Sequence, residues 1–166
     1  RRNALELVRM VSGQTPVTDL AMTTNGTRLE ELARPLRQVG LRRINVSVDT
    51  LRADAFAAIT RGGDLAKVLA GIGAALQAGF DEVKINAVAL RGINDDDLGN
   101  LVDWAWQRGV TPRFIELMPL GEGAKLGAAR HLGVDEIRTR LGARLSAADP
   151  QPSGVEGRGP ASYVAA

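Results

Sequence analysis

Cysteine is absent from the 166 residues. That excludes disulfides, thiolate metal sites and any iron–sulfur cluster held by this stretch of chain. Histidine occurs once, as His131, which argues against a histidine metal site or a Ser-His-Asp triad. Lysine is scarce too: only Lys67, Lys84 and Lys125. An excess of either charge is missing, since 21 Lys+Arg against 19 Asp+Glu leaves +2; nothing in that balance calls for nucleic acid or a membrane surface. No apolar run approaches the roughly 18 residues needed to cross a bilayer. The Gly62-Gly63 pair has no phosphate-loop pattern behind it, and no Walker-type motif occurs. Arg1-Arg2-Asn3 carries no signal-peptide pattern, so the expected location is the cytoplasm.

What is present is an ordinary globular composition, 45% hydrophobic and 24% charged, with length for one domain and a core. Two periods alternate along it. Leu5, Val8 and Val11 suit a helix face. Residues 17–24 read as a strand. Thr27-x-x-Glu30 reads as a capping box before Leu29, Leu32, Ala33 and Leu36, with Pro35 expected to kink or restart that helix. Arg43 to Asp49 alternates strictly. A short helix is expected over 53–59 and an amphipathic one over 65–76, stopped by Gly79. Val83 to Leu90 is a third strand. Asp95-Asp96-Asp97 is placed in the first turn of a helix carrying Leu98, Leu101, Val102 and Ala105. Of Trp104 and Trp106, one is expected to pack and the other to be partly exposed. Arg113 to Met118 is a fourth strand, stopped by Pro119. Asp135 to Leu141 reads as a last helix, and the stretch from Asp149 as a linker. Strand–helix alternation with crossover-length connections argues a parallel sheet. A complete eight-unit barrel needs roughly 250 residues, so the chain is either a small open α/β sheet or part of a larger barrel.

Strands of a parallel sheet buried on both faces read as near-continuous apolar runs. Here they do not. Ile44, Val46 and Val48 oppose Asn45, Ser47 and Asp49; Val83, Ile85 and Ala87 oppose Lys84 and Asn86. Either the polar face is solvated or internally salt-bridged, with Lys84 paired to Asp49 or Glu116, or it lines a wet cavity that holds a ligand. Ligands of both sheet architectures bind at the carboxyl ends of strands, where Thr23, Thr24, Asn25, Ser47, Asp49 and Met118 fall. Arg113 has the same two readings as Lys84. Arg113 and Met118, five residues apart, point to opposite faces of a regular strand.

L-A-M-T-T-N-G at 20–26, R-I-N-V-S-V-D-T-L at 43–51, V-K-I-N-A-V at 83–88 and R-F-I-E-L-M-P at 113–119 together resemble one family. It is the molybdenum cofactor biosynthesis protein A family, the GTP 3′,8-cyclases of the radical S-adenosylmethionine (radical SAM) superfamily. Arg1-Arg2 resembles the end of that family's G-G-E-P-L-x-R-R segment, and R-G-P-A-S-Y at 158–163 continues the likeness weakly. The resemblance implies a partial TIM-like (β/α) barrel of parallel strands with outer helices, about half of a radical SAM barrel. Its central part would be residues 1–123, and residues 124–166 a loop, short helix and linker. It implies a reaction in which a [4Fe-4S] cluster reductively cleaves S-adenosylmethionine, and the resulting deoxyadenosyl radical takes a ribose hydrogen from GTP. By position, Thr23 and Lys84 look like GTP contacts, and Ser47 and Met118 like S-adenosylmethionine contacts; Arg113, Asn25 and Asn86 are further candidates.

The family's C-x-x-x-C-x-x-C loop, its G-G-E-P glycines and its second set of cluster cysteines have no counterpart in this sequence. The expectation is therefore a central fragment, inactive alone, of an enzyme with a possible homodimeric state. Its product would pass to cyclic pyranopterin monophosphate synthase. The rivals are another radical SAM enzyme such as a peptide-modifying one, a nucleotide-binding α/β protein without turnover, and a purely structural domain.

Overall fold

A computed structural model describes residues 3–14, 17–118, 121, 124, 127–145, 151–152 and 162–163. Arg1-Arg2, Pro119 and most of the stretch from Asp149 lie outside the described residues. The elements run α1 (Ala4–Ser12), β1 (Ala21–Thr24), α2 (Leu29–Gln38), β2 (Arg43–Ser47), α3 (Ala53–Thr60), α4 (Leu65–Ala78), β3 (Glu82–Ala89), α5 (Leu98–Trp106), β4 (Thr111–Glu116) and α6 (Val134–Leu141). Short 3₁₀ turns cover Ala128–Arg130 and Gly142–Arg144, and Gln151–Pro152 pairs antiparallel with Ser162–Tyr163.

The four strands pair in parallel, in chain order β1-β2-β3-β4. Right-handed crossovers in that order return every helix to the same side, the arrangement of an arc of (β/α) barrel. The core follows. Ile44, Val46, Val48, Val83, Ile85 and Ala87 pack on Leu29, Ala33 and Leu36 of α2, Val68, Ile72 and Ala75 of α4, and Leu101 and Ala105 of α5. A second cluster joins Ala89, Leu98 and Val102 to Leu132, Ile137 and Leu141, so α6 closes over β3 and α5. Trp104 is half-buried under the Arg108 guanidinium, 4.7 Å from its ring centre, and Trp106 is the exposed member of the pair.

Three local expectations are corrected. No side chain caps α2: its N-cap is Arg28, and Thr27 instead donates through Oγ1 to Asn25 Oδ1 at 3.0 Å. Pro35 sits inside an unbroken α2; the carbonyl it deprives of a donor belongs to Glu31, an exposed residue. Helix α5 begins at Leu98, so Asp95 and Asp96 precede it in a series of turns and Asp97 is its N-cap residue. The αL residues that end or enter elements are mostly glycine, as at Gly79 with φ +72°. Gly26, at φ +77°, sits where a Cβ would stand 2.8 Å from Val46 and 2.9 Å from Val68.

Candidate functional site

Register places two polar bands across the sheet, on the face away from the helices. Thr23, Asn45, Lys84 and Thr111 are successive neighbours in one; Ser47, Asn86 and Arg113 form the next, nearer the carboxyl ends. No residue of this face belongs to either apolar cluster of the described residues. Alternation does separate a polar from an apolar face in β2 and β3, and on the polar face Lys84 is internally salt-bridged, one of the readings the sequence allows.

Lys84 is 4% exposed, with Nζ 3.1 Å from Glu82 Oε2. Its carboxylate is thus neither Asp49 nor Glu116. Glu82 stands two residues earlier on the same strand face, the shortest reach alternation offers, and it also lies 3.8 Å from Arg43. Asn86 is half-buried, yet its Oδ1 is fully enclosed and accepts from nothing among the described residues. Asn45 Nδ2 donates to Thr23 Oγ1 at 3.3 Å. Thr23, Asn25 and Ser47 are exposed, and Arg113 is half-buried. Met118 lies past the end of β4 and is 64% exposed, so within the described residues it joins neither band.

Asp49 leaves the polar face. Its Oδ1 accepts from Val88 N–H at 2.8 Å, which puts the carboxylate between the strands. Burial pushes its pKa up, partly offset by that hydrogen bond. Glu116 is committed elsewhere, taking the Val134 N–H at the start of α6. A cavity of about 480 Å³ opens beside β1, lined by Val8, Val11, Met22, Leu29 and Leu32 and, at one end, by Thr23 and Asn25. Thr23 belongs to both the cavity lining and the polar wall, Asn25 to the cavity lining, and Ser47, Lys84 and Asn86 to the wall alone. Among the described residues no cluster of three metal-ligating side chains occurs.

An enclosed ammonium, an enclosed amide oxygen lacking a donor and a row of hydroxyls suit a ligand with both anionic groups and N–H or O–H donors. Residues 1–105 match the radical SAM superfamily. The chain belongs to that superfamily. Its fold is accordingly a partial barrel of the TIM type, and the superfamily implies S-adenosylmethionine and a [4Fe-4S] cluster. The wall fits the first, whose amine and ribose hydroxyls are donors of the kind that the enclosed Asn86 Oδ1 lacks. For the second, no residue of this chain offers a thiolate. Among curated relatives, the GTP 3′,8-cyclase of Pelotomaculum thermopropionicum is 44% identical over 98% of this chain and 50% of its own length. That of Nitrobacter hamburgensis is 42% identical over 99% and 48%, and that of Marinobacter nauticus 52% over 74% and 37%. The chain spans about half the length of the first two.

Sequence reasoning missed Glu82, Thr50, Asn94 and Asp97. The signal for Glu82 was available, since the alternation that singles out Lys84 and Asn86 includes it. The other three act through loops, where no periodicity speaks.

Proposed function

We propose that this chain is the ligand-facing part of a GTP 3′,8-cyclase. The likeness to relatives of that name over nearly its whole length carries the reading, and the buried Lys84 and unsatisfied Asn86 on one wall support it. Bound S-adenosylmethionine supplies a carbon-centred radical by reductive cleavage. The chain's own residues bind and orient. Lys84 meets the GTP phosphates as a point charge, moving from or sharing with Glu82. Thr23 offers GTP a hydroxyl at the cavity's polar end, with Asn25 beside it. Ser47 takes a polar group of S-adenosylmethionine, Asn86 accepts from a ligand N–H or O–H, Arg113 adds positive charge to the same band, and Met118 lies against the cofactor from the rim.

The product is (8S)-3′,8-cyclo-7,8-dihydroguanosine 5′-triphosphate, the first intermediate of molybdenum cofactor biosynthesis. It is formed in the cytoplasm by a homodimeric enzyme and consumed by cyclic pyranopterin monophosphate synthase. Turnover requires cluster ligands from residues other than these 166.

Calorimetric titration of the chain with GTP and with S-adenosylmethionine tests the reading. Lys84→Ala is expected to weaken GTP about tenfold or more, one buried charged hydrogen bond, and to spare S-adenosylmethionine. Ser47→Ala is expected to do the reverse, by less. Absence of GTP binding, or a Lys84→Ala chain that binds GTP as tightly as the parent, overturns it.

A further inference from the structure

The R-G-I-N-D-D-D stretch at 91–97 has no part in the site as described, yet it holds two of the most enclosed polar side chains in the structure. Asn94 is 0% and Asp97 4% exposed. Strand β2 pairs with β3 up to Ser47 opposite Asn86, and the last ladder bond is Val48 N–H to Asn86 O at 3.0 Å. Beyond it β2 turns away while β3 runs on to Ala89. Parallel pairing would next send Val88 N–H to the Val48 carbonyl; it goes instead to Asp49 Oδ1 at 2.8 Å. The following groups of β3 on that edge are Val88 C=O and Leu90 N–H, and both are met by one carboxamide. Asn94 Nδ2 donates to Val88 O at 2.9 Å, and Asn94 Oδ1 accepts from Leu90 N–H at 2.8 Å. The same Nδ2 donates to the Asp49 carbonyl at 2.6 Å. Asn94 therefore occupies the place of a peptide unit in a prolonged β2 and grips the real end of β2 as well.

Asp97 completes the clasp. Its Oδ2 accepts from Thr50 Oγ1 at 2.6 Å and from Leu51 N–H at 2.7 Å, and its Oδ1 from Asn100 Nδ2 at 3.0 Å. Residues 49–51, two to four positions after Ser47, are thus held from the β3–α5 side by side chains. Ordinary strand pairing would hold them too, but it would continue β2 past Ser47 and leave no break in the sheet at the mouth of the polar wall. Fixed side-chain substitution ends the strand at Ser47 and still fixes where its hydroxyl stands relative to Asn86 on the neighbouring strand.

We propose that Asn94, backed by Asp97, is a positioning residue of the ligand site: it replaces the missing continuation of β2 beside β3 and so sets Ser47 against Asn86 for a ligand that spans both strands. The inference rests on reading the polar wall as the S-adenosylmethionine and GTP site. Supporting residues that orient a contact residue typically govern about tenfold to a hundredfold in affinity or activity.

The experiment is calorimetric titration of the 166-residue chain and its Asn94→Ala variant with S-adenosylmethionine and with GTP. Circular dichroism melting is run on each, and Val110→Ala, buried in the larger core just before the start of β4, serves as a destabilised control. The expected result is S-adenosylmethionine affinity about tenfold or more weaker in Asn94→Ala and within twofold of the parent in Val110→Ala. Affinity within twofold of the parent in a folded Asn94→Ala overturns the positioning role and leaves the site reading standing. A parent chain that binds neither ligand overturns the site reading and this inference with it. Should Asn94→Ala not fold, Thr50→Val and Thr50→Ser decide. Weaker binding in the first, restored by the second, supports the clasp; parental affinity in Thr50→Val overturns it.

Discussion

Lys84 is held by a neighbour that competes with any ligand. Its ammonium is 4% exposed and lies 3.1 Å from Glu82 Oε2. Burying a lysine charge without a partner is costly, so the pair stabilises the empty wall. A phosphate arriving at Lys84 must share the ammonium with that carboxylate or draw it away. Glu82→Gln is accordingly expected to move two measurements in opposite directions. The melting temperature falls, because Lys84 loses a counter-charge 3.1 Å away, while affinity for GTP rises about tenfold, the order of one close ion pair. Calorimetry and thermal unfolding on the same sample check this; weaker GTP binding in Glu82→Gln contradicts it. Two aspartates make a second pair of opposites. Burial pushes the Asp49 carboxyl up from 3.8. Burial pushes Asp97 up too, but hydrogen bonds from Thr50, Asn100 and Leu51 and the charge of Arg52 outweigh it and leave its pKa below 3.8. A raised folded pKa means the native state binds the proton more tightly, so Asp49 withdraws stability as pH rises above 3.8. A lowered one means that Asp97 contributes stability above 3.8 and loses it as pH falls through its folded value. Denaturant unfolding should therefore find Asp49→Asn at least as stable as the parent at pH 7, with no advantage at pH about 3. Asp97→Asn should be less stable at pH 7 and close to the parent in acid.

At the scale of elements, the close contact of α2 with α4 depends on glycine. A Cβ on Gly71 would stand 2.9 Å from the Gly26 carbonyl oxygen and 3.0 Å from Leu29 Cβ. Neither atom is the end of a flexible chain, so the helices must separate. Gly71→Ala is expected to cost about 1–3 kcal/mol, the range for overpacking. Gly73, two residues along and so on the opposite side of the same helix, has nothing within 4 Å of its Cβ position; Gly73→Ala should instead stabilise by about 0.5–1 kcal/mol. Urea unfolding of the two variants checks both signs. Much of this level was legible in the sequence. The 3.6 period of Leu65, Val68, Leu69, Ile72 and Leu76 gave α4, Gly79 gave its stop, and strict alternation gave the two faces of β2 and β3. What failed was local chemistry that tertiary contacts overrode. Thr27-x-x-Glu30 has a capping pattern, but Thr27 Oγ1 is turned to Asn25. Asp97 has the type and place of a helix-start acid, but Thr50 and Leu51, 47 and 46 residues away, take its carboxylate. Asp49 has the right parity for the polar wall, but β2 ends at Ser47 and parity then says nothing.

The described molecule has two apolar cores that share little. The larger lies between the sheet and α2, α4 and α5; the smaller joins α6 and Leu132 to the far side of α5, with Phe114 partly buried against both. Besides Ile137 and Leu141, α6 is held by the Glu116 carboxylate on its Val134 N–H and by ion pairs that are exposed or half-buried. Arg91 pairs with Glu136, Arg140 with Asp95 at 2.9 Å, and Arg144 with Asp103 at 2.8 Å. Exposed pairs of this kind contribute little each and are screened by salt, so the apolar contacts decide whether α6 stays down. Small outlying clusters of this composition open at lower free energy than a central sheet. Ile137→Ala removes a side chain that is 5% exposed and is expected to cost about 2–4 kcal/mol within the α6 layer. Apart from Ala89 at the end of β3, the central sheet draws its stability from the larger core, to which Ile137 does not belong. Amide hydrogen exchange of the variant should therefore quicken by orders of magnitude over 134–141 and at Leu132, while Ile44, Val46 and Ile85 keep the protection they have in the parent chain. Equal loss of protection in β2 and β3 would mean instead that the two cores unfold as one, and that α6 is as integral to the wall carrying Ser47, Lys84 and Asn86 as the helices directly behind it.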